Sequence, residues 1–208
     1  MTKTGKETVL YSFTNGLDGG YPFGGLVRDS SGNLYGTTYS GGASSVGTVF
    51  KVTKTGTETV LHSFAGGADG EYPYASLVRD SSGNLYGTTS EGGASNVGTA
   101  FKVTPTGHET VLYSFAGGTD GANPFAGLVR DRKGNLYGTT EAGDSSGVGT
   151  VFKLTATGQE TVLHTFTGGT TDGANPFGGL VRDAAGNLYG TTFVGGAFGH
   201  GAVYEITH

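Results

Sequence analysis

Gly-Asn-Leu-Tyr-Gly-Thr-Thr, residues 32–38, returns unchanged at residues 83–89, 134–140 and 186–192. Around this heptapeptide the chain divides into four similar units, residues 3–53, 54–104, 105–155 and 156–207, within a single domain of residues 1–208. Repeats of about this length are supersecondary units that stack, because each one covers the apolar face of its neighbour. The sequence therefore predicts one assembly of four repeats rather than several independent domains.

Composition excludes several classes of protein. The 42 glycines recur at fixed offsets between short apolar runs, which indicates turns rather than a low-complexity segment. The net charge is −5 without a basic stripe, so we expect no nucleic-acid partner. No apolar run is long enough for a membrane span, and since the repeat pattern starts at residue 3 we expect no signal peptide in this chain. Because cysteine is absent, disulfides, Cys-zinc sites and thiol catalysis are excluded.

Each unit has the period-two apolar pattern of short β-strands. In the second blade, which begins in the second unit and ends in the third, the turn signals Asp-Ser-Ser-Gly (80–83) and Thr-Pro-Thr-Gly (104–107) separate apolar runs. The expected strands there are residues 76–79, 84–89, 99–103 and 110–115. Four antiparallel strands per unit predict an all-β protein, a β-propeller of four four-stranded blades. A β-solenoid is the alternative, but its coils are usually shorter and its ends need caps.

The two ends of the chain are complementary in this scheme. Residues 7–13 are a fourth strand without a blade, and residues 201–207 are a third strand without an outer neighbour. Pairing them closes the ring and protects two open sheet edges, so we expect a monomer. The alternative is that two chains exchange these strands and form an eight-bladed homodimer. Small residues at 24–25, 75–76, 126–127 and 178–179 favour a narrow four-bladed centre.

The repeat resembles known sequences. Leu-Val-Arg-Asp-x-x-Gly-Asn-Leu-Tyr resembles the hairpin of NHL-type propellers. The longer signature is Gly-Asn-Leu-Tyr-Gly-Thr-Thr, a Gly-Gly loop and Gly-Thr-Val-Phe-Lys-Val, and it is similar to the GloVer tandem repeat of bacterial surface and secreted proteins. That similarity covers essentially the whole chain. It implies a secreted or extracytoplasmic propeller and carries over no catalytic residue, because repetition defines the family.

The long loops after the second and fourth strands are expected on one side of the propeller, where aromatic and polar groups suit sugar rings. The candidate ligand-binding residues are Asp18, Tyr21, Asp69, Tyr72, Tyr74, Asp120, Asn123, Asp172 and Asn175. The alternative is that the recurring Asp-Gly turn and Pro-aromatic step are structural. Four converging aspartates would suit a hard cation, but no Asp-x-Asp-x-Asp loop is present, so no metal site or cofactor is predicted.

Two other recurring positions are expected to be structural. Tyr35 and its equivalents lie mid-strand and predict inter-blade core with a hydrogen-bonded hydroxyl. The fourth strand alternates Tyr11, His62, Tyr113 and His164, half-buried side chains rather than metal ligands. In the Arg-Asp pairs that follow the innermost strands, such as Arg79-Asp80, we expect the aspartate to cap the turn.

Three functions remain open. We favour a non-catalytic binding scaffold for a glycan or a cell-surface protein on the long-loop side. The alternative is a purely structural repeat, natural or engineered, without a ligand. A glycan-active enzyme is the third possibility, with Glu91 and Glu141 as the acid pair if their separation is suitable. Near-identity of the loops disfavours it, because catalysis needs one site where the symmetry is broken.

Overall fold

The computed structural model describes residues 5–143 and 147–207; residues 3–4, which open the first repeat, lie outside the described residues. The described chain is all-β apart from two three-residue 3₁₀ turns, Gly67–Asp69 and Gly118–Asp120. Among these residues there is no helix with the length and apolar character needed to cross a membrane.

The described chain contains three four-stranded antiparallel sheets whose strands lie in chain order, and the fourth strand of each comes from the start of the following repeat. Sheet 1 contains β1 (Val27–Arg28), β2 (Leu34–Thr38), β3 (Thr48–Val52) and β4 (Glu58–Ser63). Sheet 2 contains β5 (Val78–Arg79), β6 (Leu85–Thr89), β7 (Thr99–Val103) and β8 (Glu109–Ser114). Sheet 3 contains β9 (Val129–Arg130), β10 (Leu136–Thr140), β11 (Thr150–Leu154) and β12 (Glu160–Thr165). This meander is the topology of a propeller blade, so the predicted all-β, four-stranded units are confirmed here.

The last repeat differs from the other three. After β12, which belongs to sheet 3, it contains β13 (Gly173–Ala174), β14 (Val181–Arg182), β15 (Leu188–Thr191), β16 (Val194–Gly195) and β17 (Val203–Ile206). Sheet 4 consists of β14, β15 and β17, while β13 and β16 pair separately as a two-stranded ladder between long loops. Sheet 4 therefore has three strands and ends at β17.

Local turn chemistry explains the first hairpin of each sheet. Asp80 Oδ1 accepts a hydrogen bond from the Asn84 backbone N–H at 2.9 Å, and Oδ2 accepts from Asn84 Nδ2 at 2.8 Å and the Tyr86 hydroxyl at 3.0 Å. Gly83 takes a left-handed conformation with φ of 89°, which glycine adopts without a steric penalty. The Asp-x-x-Gly-Asn motif thus fixes both the turn and the hydroxyl of the following tyrosine, as predicted.

Neighbouring sheets share their cores. At the junction of sheets 1 and 2, Phe64 packs against Phe101 with ring centroids 5.1 Å apart, and both side chains are fully buried. Phe101 also covers Gly87, where an added Cβ would lie only 2.7 Å from the ring. Equivalent clusters occupy the junctions of sheets 2 and 3 and of sheets 3 and 4. Burial of such a phenylalanine contributes roughly 1.5–3 kcal/mol, so these junctions hold the sheets together.

The predicted pairing of residues 7–13 with residues 201–207 is wrong for this structure. Residues 5–14 form no strand, and within the described residues β17 pairs only with β15. Residues 7–13 instead pack on sheet 1, where the Phe13 ring lies 4.8 Å from that of Phe50. A fourth strand has two partners, its own sheet and the next one along, and here only the contact with the next sheet forms. The four sheets consequently make an open row.

Candidate functional site

The predicted aspartates organise their own loops. Asp69 Oδ2 accepts a hydrogen bond from the Ala65 N–H at 2.6 Å, and Asp172 Oδ2 accepts one from the Thr167 N–H at 2.8 Å. Asp18 and Asp120 accept equivalent backbone hydrogen bonds. Burial alone would raise the pKa of Asp18, but hydrogen bonds from Thr14, Tyr11 and Gly16 outweigh it and lower that pKa. These carboxylates act as loop acceptors in the structure, and ligand binding by them stays a prediction.

The same aspartates explain why the fourth-strand position alternates between tyrosine and histidine. The Tyr11 hydroxyl donates to Asp18 at 3.0 Å, and His62 Nε2 lies 3.2 Å from Asp69 Oδ2. Tyr113 with Asp120 and His164 with Asp172 repeat the arrangement. Both residue types reach the loop carboxylate with a polar hydrogen, as the predicted structural role requires. In the described part of the chain, no three His, Asp or Glu side chains come together as metal ligands.

An aromatic row crosses the long-loop side of all four sheets. Its consecutive ring centroids are 4.7–6.4 Å apart. The members of the aromatic row are Tyr21, Phe23, Tyr74, Phe125, Phe177 and Phe193. Tyr21 is 60% exposed, Tyr74 39% and Phe193 69%, so solvent reaches the row along its length. The structure thus joins two of the predicted site residues, Tyr21 and Tyr74, in one continuous surface.

A Pro-aromatic step positions four of the six rings of the row, Phe23, Tyr74, Phe125 and Phe177. Pro73 is buried against the neighbouring sheet, where an added Cβ at Gly47 would lie 2.6 Å from its Cδ. Pro124 packs against Gly98 in the same way. Pro73, Pro124 and Pro176 are buried in the junctions, so the residue after each is directed onto the loop surface, whereas Pro22 before Phe23 is exposed. The step is therefore structural at its proline and leaves the aromatic side chain exposed.

The residue before each of these prolines has positive φ. Asn123 and Asn175 have φ of 55° and 53°, and Tyr21 and Tyr72 have φ of 55° and 57°. Asparagine tolerates this region, whereas a bulky residue there is an outlier that costs on the order of 1–3 kcal/mol. In this conformation Asn123 Nδ2 donates a hydrogen bond to the Ser90 carbonyl oxygen at 2.9 Å. Tyr21 and Tyr72 therefore have a strained backbone conformation, which asparagine adopts at a lower energetic cost.

Tyr21 in the row and Tyr72 beside it add aromatic surface at sheets 1 and 2. Tyr72 stacks on Tyr39 with centroids 4.9 Å apart and planes 24° from parallel. Burial first, then the carboxylates of Glu71 and Glu91, raises the pKa of Tyr72 above its ordinary value, so its hydroxyl stays protonated. Asn175, at the equivalent position of the fourth repeat, instead donates to Glu141 Oε1 at 3.0 Å. Aromatic pairing in one repeat thus replaces polar pairing in another.

A groove of about 540 Å³ opens at this aromatic half. Its walls are Tyr21, Phe23, Tyr39, Ser40, Tyr74, Ser90, Glu91 and Phe125. The predicted ligand-binding residues did not include Phe23, Phe125 and Phe177 of the Pro-aromatic steps. They also did not include Tyr39 and Phe193. Both follow the Gly-Asn-Leu-Tyr-Gly-Thr-Thr heptapeptide directly, a position that varies among Tyr, Ser, Glu and Phe. That variation within an otherwise constant repeat was the signal that could have identified them.

The opposite side of the sheets carries a different cleft. Between sheets 3 and 4 a space of about 720 Å³ is lined by charged side chains of the hairpin turns, including Arg132, Lys133 and Lys153. Here Arg182 lies over the Tyr137 ring, 5.7 Å from its centroid. Small-molecule sites are mostly apolar with a few placed polar groups. The aromatic groove fits that description better than this charged cleft.

Two solved structures align with most of this chain, which supports the fold described above. The extracellular domain of BT4673, a candidate hybrid two-component system of B. thetaiotaomicron, aligns with a TM-score of 0.57 and 14% identity over 88% of this chain. A candidate gluconolactonase, structural genomics target DrR130, aligns at 0.50 and 17% identity over 88% of the chain. This chain spans only 20% of the first protein and 63% of the second. At such identities the likeness concerns the fold alone.

Sequence comparison identifies the family. No curated protein matches the chain. The model of the Gloeobacter/Verrucomicrobia repeat matches residues 1–142 and residues 68–208, and the two matches overlap. Together they cover the whole chain, so the resemblance to GloVer-type repeats is confirmed. The protein therefore belongs to the Gloeobacter/Verrucomicrobia repeat family.

Proposed function

We propose that the protein is a non-catalytic, propeller-like scaffold that binds a glycan along the aromatic row. The observation that carries this proposal is the exposed, continuous run of rings across four sheets. A sugar ring has an apolar face of C–H groups and a rim of hydroxyls. It suits a surface of flat rings with polar groups beside them.

Broken symmetry supports a ligand at sheets 1 and 2. Tyr21 and Tyr72 stand at strained positions where the third and fourth repeats have asparagine. Strained residues cluster at functional sites because the surrounding structure over-determines them. The added ring area lies where the groove opens, beside the hydroxyls of Ser40 and Ser90 and the carboxylate of Glu91. Aromatic side chains give large contact area at low entropic cost.

The length of the row favours a polymer over a single sugar. Rings from four sheets would contact successive units of one extended chain, and linked weak contacts raise the overall avidity by orders of magnitude. A cell-surface protein is the second candidate partner, because exposed aromatic patches also serve protein interfaces.

We propose binding rather than catalysis. Glycoside hydrolysis generally uses two carboxyl groups that flank the scissile bond. The groove offers Glu91, whereas Glu141 accepts a hydrogen bond from Asn175 in the next repeat. Turnover of glycosides or sugar lactones by the purified chain would overturn this part of the proposal.

We also propose an extracytoplasmic location and a closed ring in which the first and last repeats of different copies meet. The first is supported by structural neighbours that are extracellular domains. For the second, the support is the complementarity of the first and last repeats, although the ends are apart in the structure. Closure would bring the outer rings of the row, Tyr21 and Phe193, onto one circular face.

The decisive experiment compares Tyr74→Ala and Tyr72→Asn with the parent chain on a glycan array, followed by calorimetric titration of the oligosaccharide that binds best. Both changes should weaken binding at least tenfold, about 1.4 kcal/mol. Tyr72→Asn installs the residue that the third and fourth repeats already have there. It relieves backbone strain but loses the stack on Tyr39, so we expect stability within about 1 kcal/mol of the parent.

Phe198→Ala is the matched control, because Phe198 is 89% exposed and lies outside the row. It should leave glycan binding unchanged. If no glycan binds the parent, or if binding survives both tyrosine changes, the row is not a glycan site and the structural alternative is favoured.

A further inference from the structure

Sheet 4 presents an uncovered edge and face. In sheet 1, Val49 is fully buried beneath sheet 2. Its counterpart by repeat register, Val203 of β17, is 82% exposed. Val181 of the innermost strand is 67% exposed at the same face. This face has the shape of a junction that occurs three times inside the chain, but it lacks the sheet that would cover it.

The complementary surface lies at the other end of the row. Relative to sheet 1, residues 7–13 occupy the place that β4 occupies relative to sheet 2. Phe13 contacts Phe50 at 4.8 Å as Phe64 contacts Phe101 at 5.1 Å. A Cβ at Gly56 would meet the Leu10 carbonyl oxygen at 2.5 Å, just as one at Gly107 would meet the carbonyl oxygen of the internal fourth strand.

Residues 7–13 therefore lack only a strand partner. Val9 is 68% exposed and Leu10 is 42% exposed, although the internal fourth strands bury the equivalent valine and leucine partly. An apolar strand edge of this kind is a template for pairing with another chain. The segment is held on sheet 1 in the position from which it would complete the last sheet of a neighbour.

We propose that two copies of this chain associate head to tail, residues 7–13 of each copy forming the fourth strand of sheet 4 of the other. The register of β3 with β4 fixes the pairs. Because Lys51 lies opposite Thr59, Glu205 of one copy lies opposite Thr8 of the second. Each association repeats the internal junction, covering Val203 and the edge of β17.

Two copies rather than more close this assembly. A heterologous contact makes a ring only if its rotation closes. Propellers typically have four to eight blades. Two copies supply eight sheets, at the upper limit of this range, whereas three would supply twelve. The dimer would also join the aromatic rows of both copies on one side.

The chain contains no cysteine, so single cysteines report the contact without background. Thr8→Cys and Glu205→Cys are made in separate chains, mixed and oxidised. Directly opposite residues of an antiparallel pair have Cβ atoms roughly 4.5–5.5 Å apart, close enough that a small adjustment forms a disulfide. We expect a cross-linked pair in the mixture and a mass of two chains by light scattering of the parent.

Thr59→Cys mixed with Glu205→Cys is the control, because Thr59 is exposed but already paired inside sheet 1. It should cross-link at least tenfold more slowly. Val203→Lys should convert the dimer to monomers without unfolding, since this side chain is exposed in the single chain. Equal cross-linking in the control, a monomeric parent, or linkage within one chain of the Thr8→Cys/Glu205→Cys double variant would overturn the proposal.

Discussion

Glu109, the first residue of β8, should make the stability of the protein depend on pH. Its Oε1 atom is buried and has no hydrogen-bond partner among the described residues. Burial first, then the charge of Asp69, then a hydrogen bond with Asp69, raises the pKa of Glu109 from 4.5 to about 7. Glu160 beside Asp120 repeats the arrangement, with a pKa of about 7. Burial and Asp18 also raise the pKa of Glu58.

The direction of the pH dependence follows from the linkage between proton binding and folding. The folded state holds the proton of Glu109 more tightly than the unfolded state does, so its stabilising contribution is complete below about pH 4.5 and is lost as the pH rises through about 7. Each pKa unit corresponds to about 1.4 kcal/mol, which gives an upper limit of roughly 3 kcal/mol. Because Glu109 is only partly buried, solvent screening reduces this to about 1–2 kcal/mol at pH 8.

Glu109→Gln removes the titrating proton and keeps the shape of the side chain. Urea denaturation followed by tyrosine fluorescence at pH 4 and pH 8 should find the variant about 1–2 kcal/mol more stable than the parent at pH 8 and equal to it at pH 4. Glu91→Gln, in an exposed loop, controls for the loss of one negative charge. A stability difference that is the same at both pH values would refute the reasoning.

Two further predictions test the junctions and the hairpins. Gly87→Ala places a Cβ 2.7 Å from Phe101 and 2.8 Å from Leu77 in a buried junction, so overpacking should lower the free energy of unfolding by about 1–3 kcal/mol. Gly179→Ala, whose nearest atom would be 3.7 Å away, should melt like the parent; equal melting of both variants would contradict the packing. Asp80→Ala removes the acceptor of three hydrogen bonds and should cost roughly 1–3 kcal/mol by thermal denaturation, and an unchanged melting temperature would count against that turn.

Much of each sheet could be predicted because its determinants are local. The Asp-x-x-Gly-Asn turn joins β5 to β6 through one aspartate and one left-handed glycine, and both residues lie within the motif itself. The strand bounds in sheet 2 agree with the predicted bounds to within two residues. The register shift between Ala100 and Phe101 was not predicted, because alternation of apolar residues does not report a bulge.

Only part of the candidate site could be predicted from the sequence. Tyr21 and Tyr74 were selected because they lie in long loops, and the structure brings them into one row with Phe193, which lies more than a hundred residues away in sequence. The partners of Asp69 and Asp120 were not predicted, because hydrogen bonds from the preceding strand depend on how each loop folds back. The sequence alone therefore did not distinguish the aspartates, which accept hydrogen bonds within their own loops, from Tyr21 and Tyr74, whose side chains are exposed.

Sequence repetition by itself determined the number of units, the strand order within each unit and the match between the first and last strands. Tertiary structure alone decided where the ends go. A fourth strand is bound by backbone hydrogen bonds to its own sheet and by apolar packing to the next. The sequence contains the residues for both contacts but does not show which of the two contacts is the more stable. Residues 7–13 keep the packing on sheet 1, through Phe13 and Phe50, while β17 has no outer partner among the described residues. Ring closure depends on the angle between successive sheets, and no local motif sets that angle.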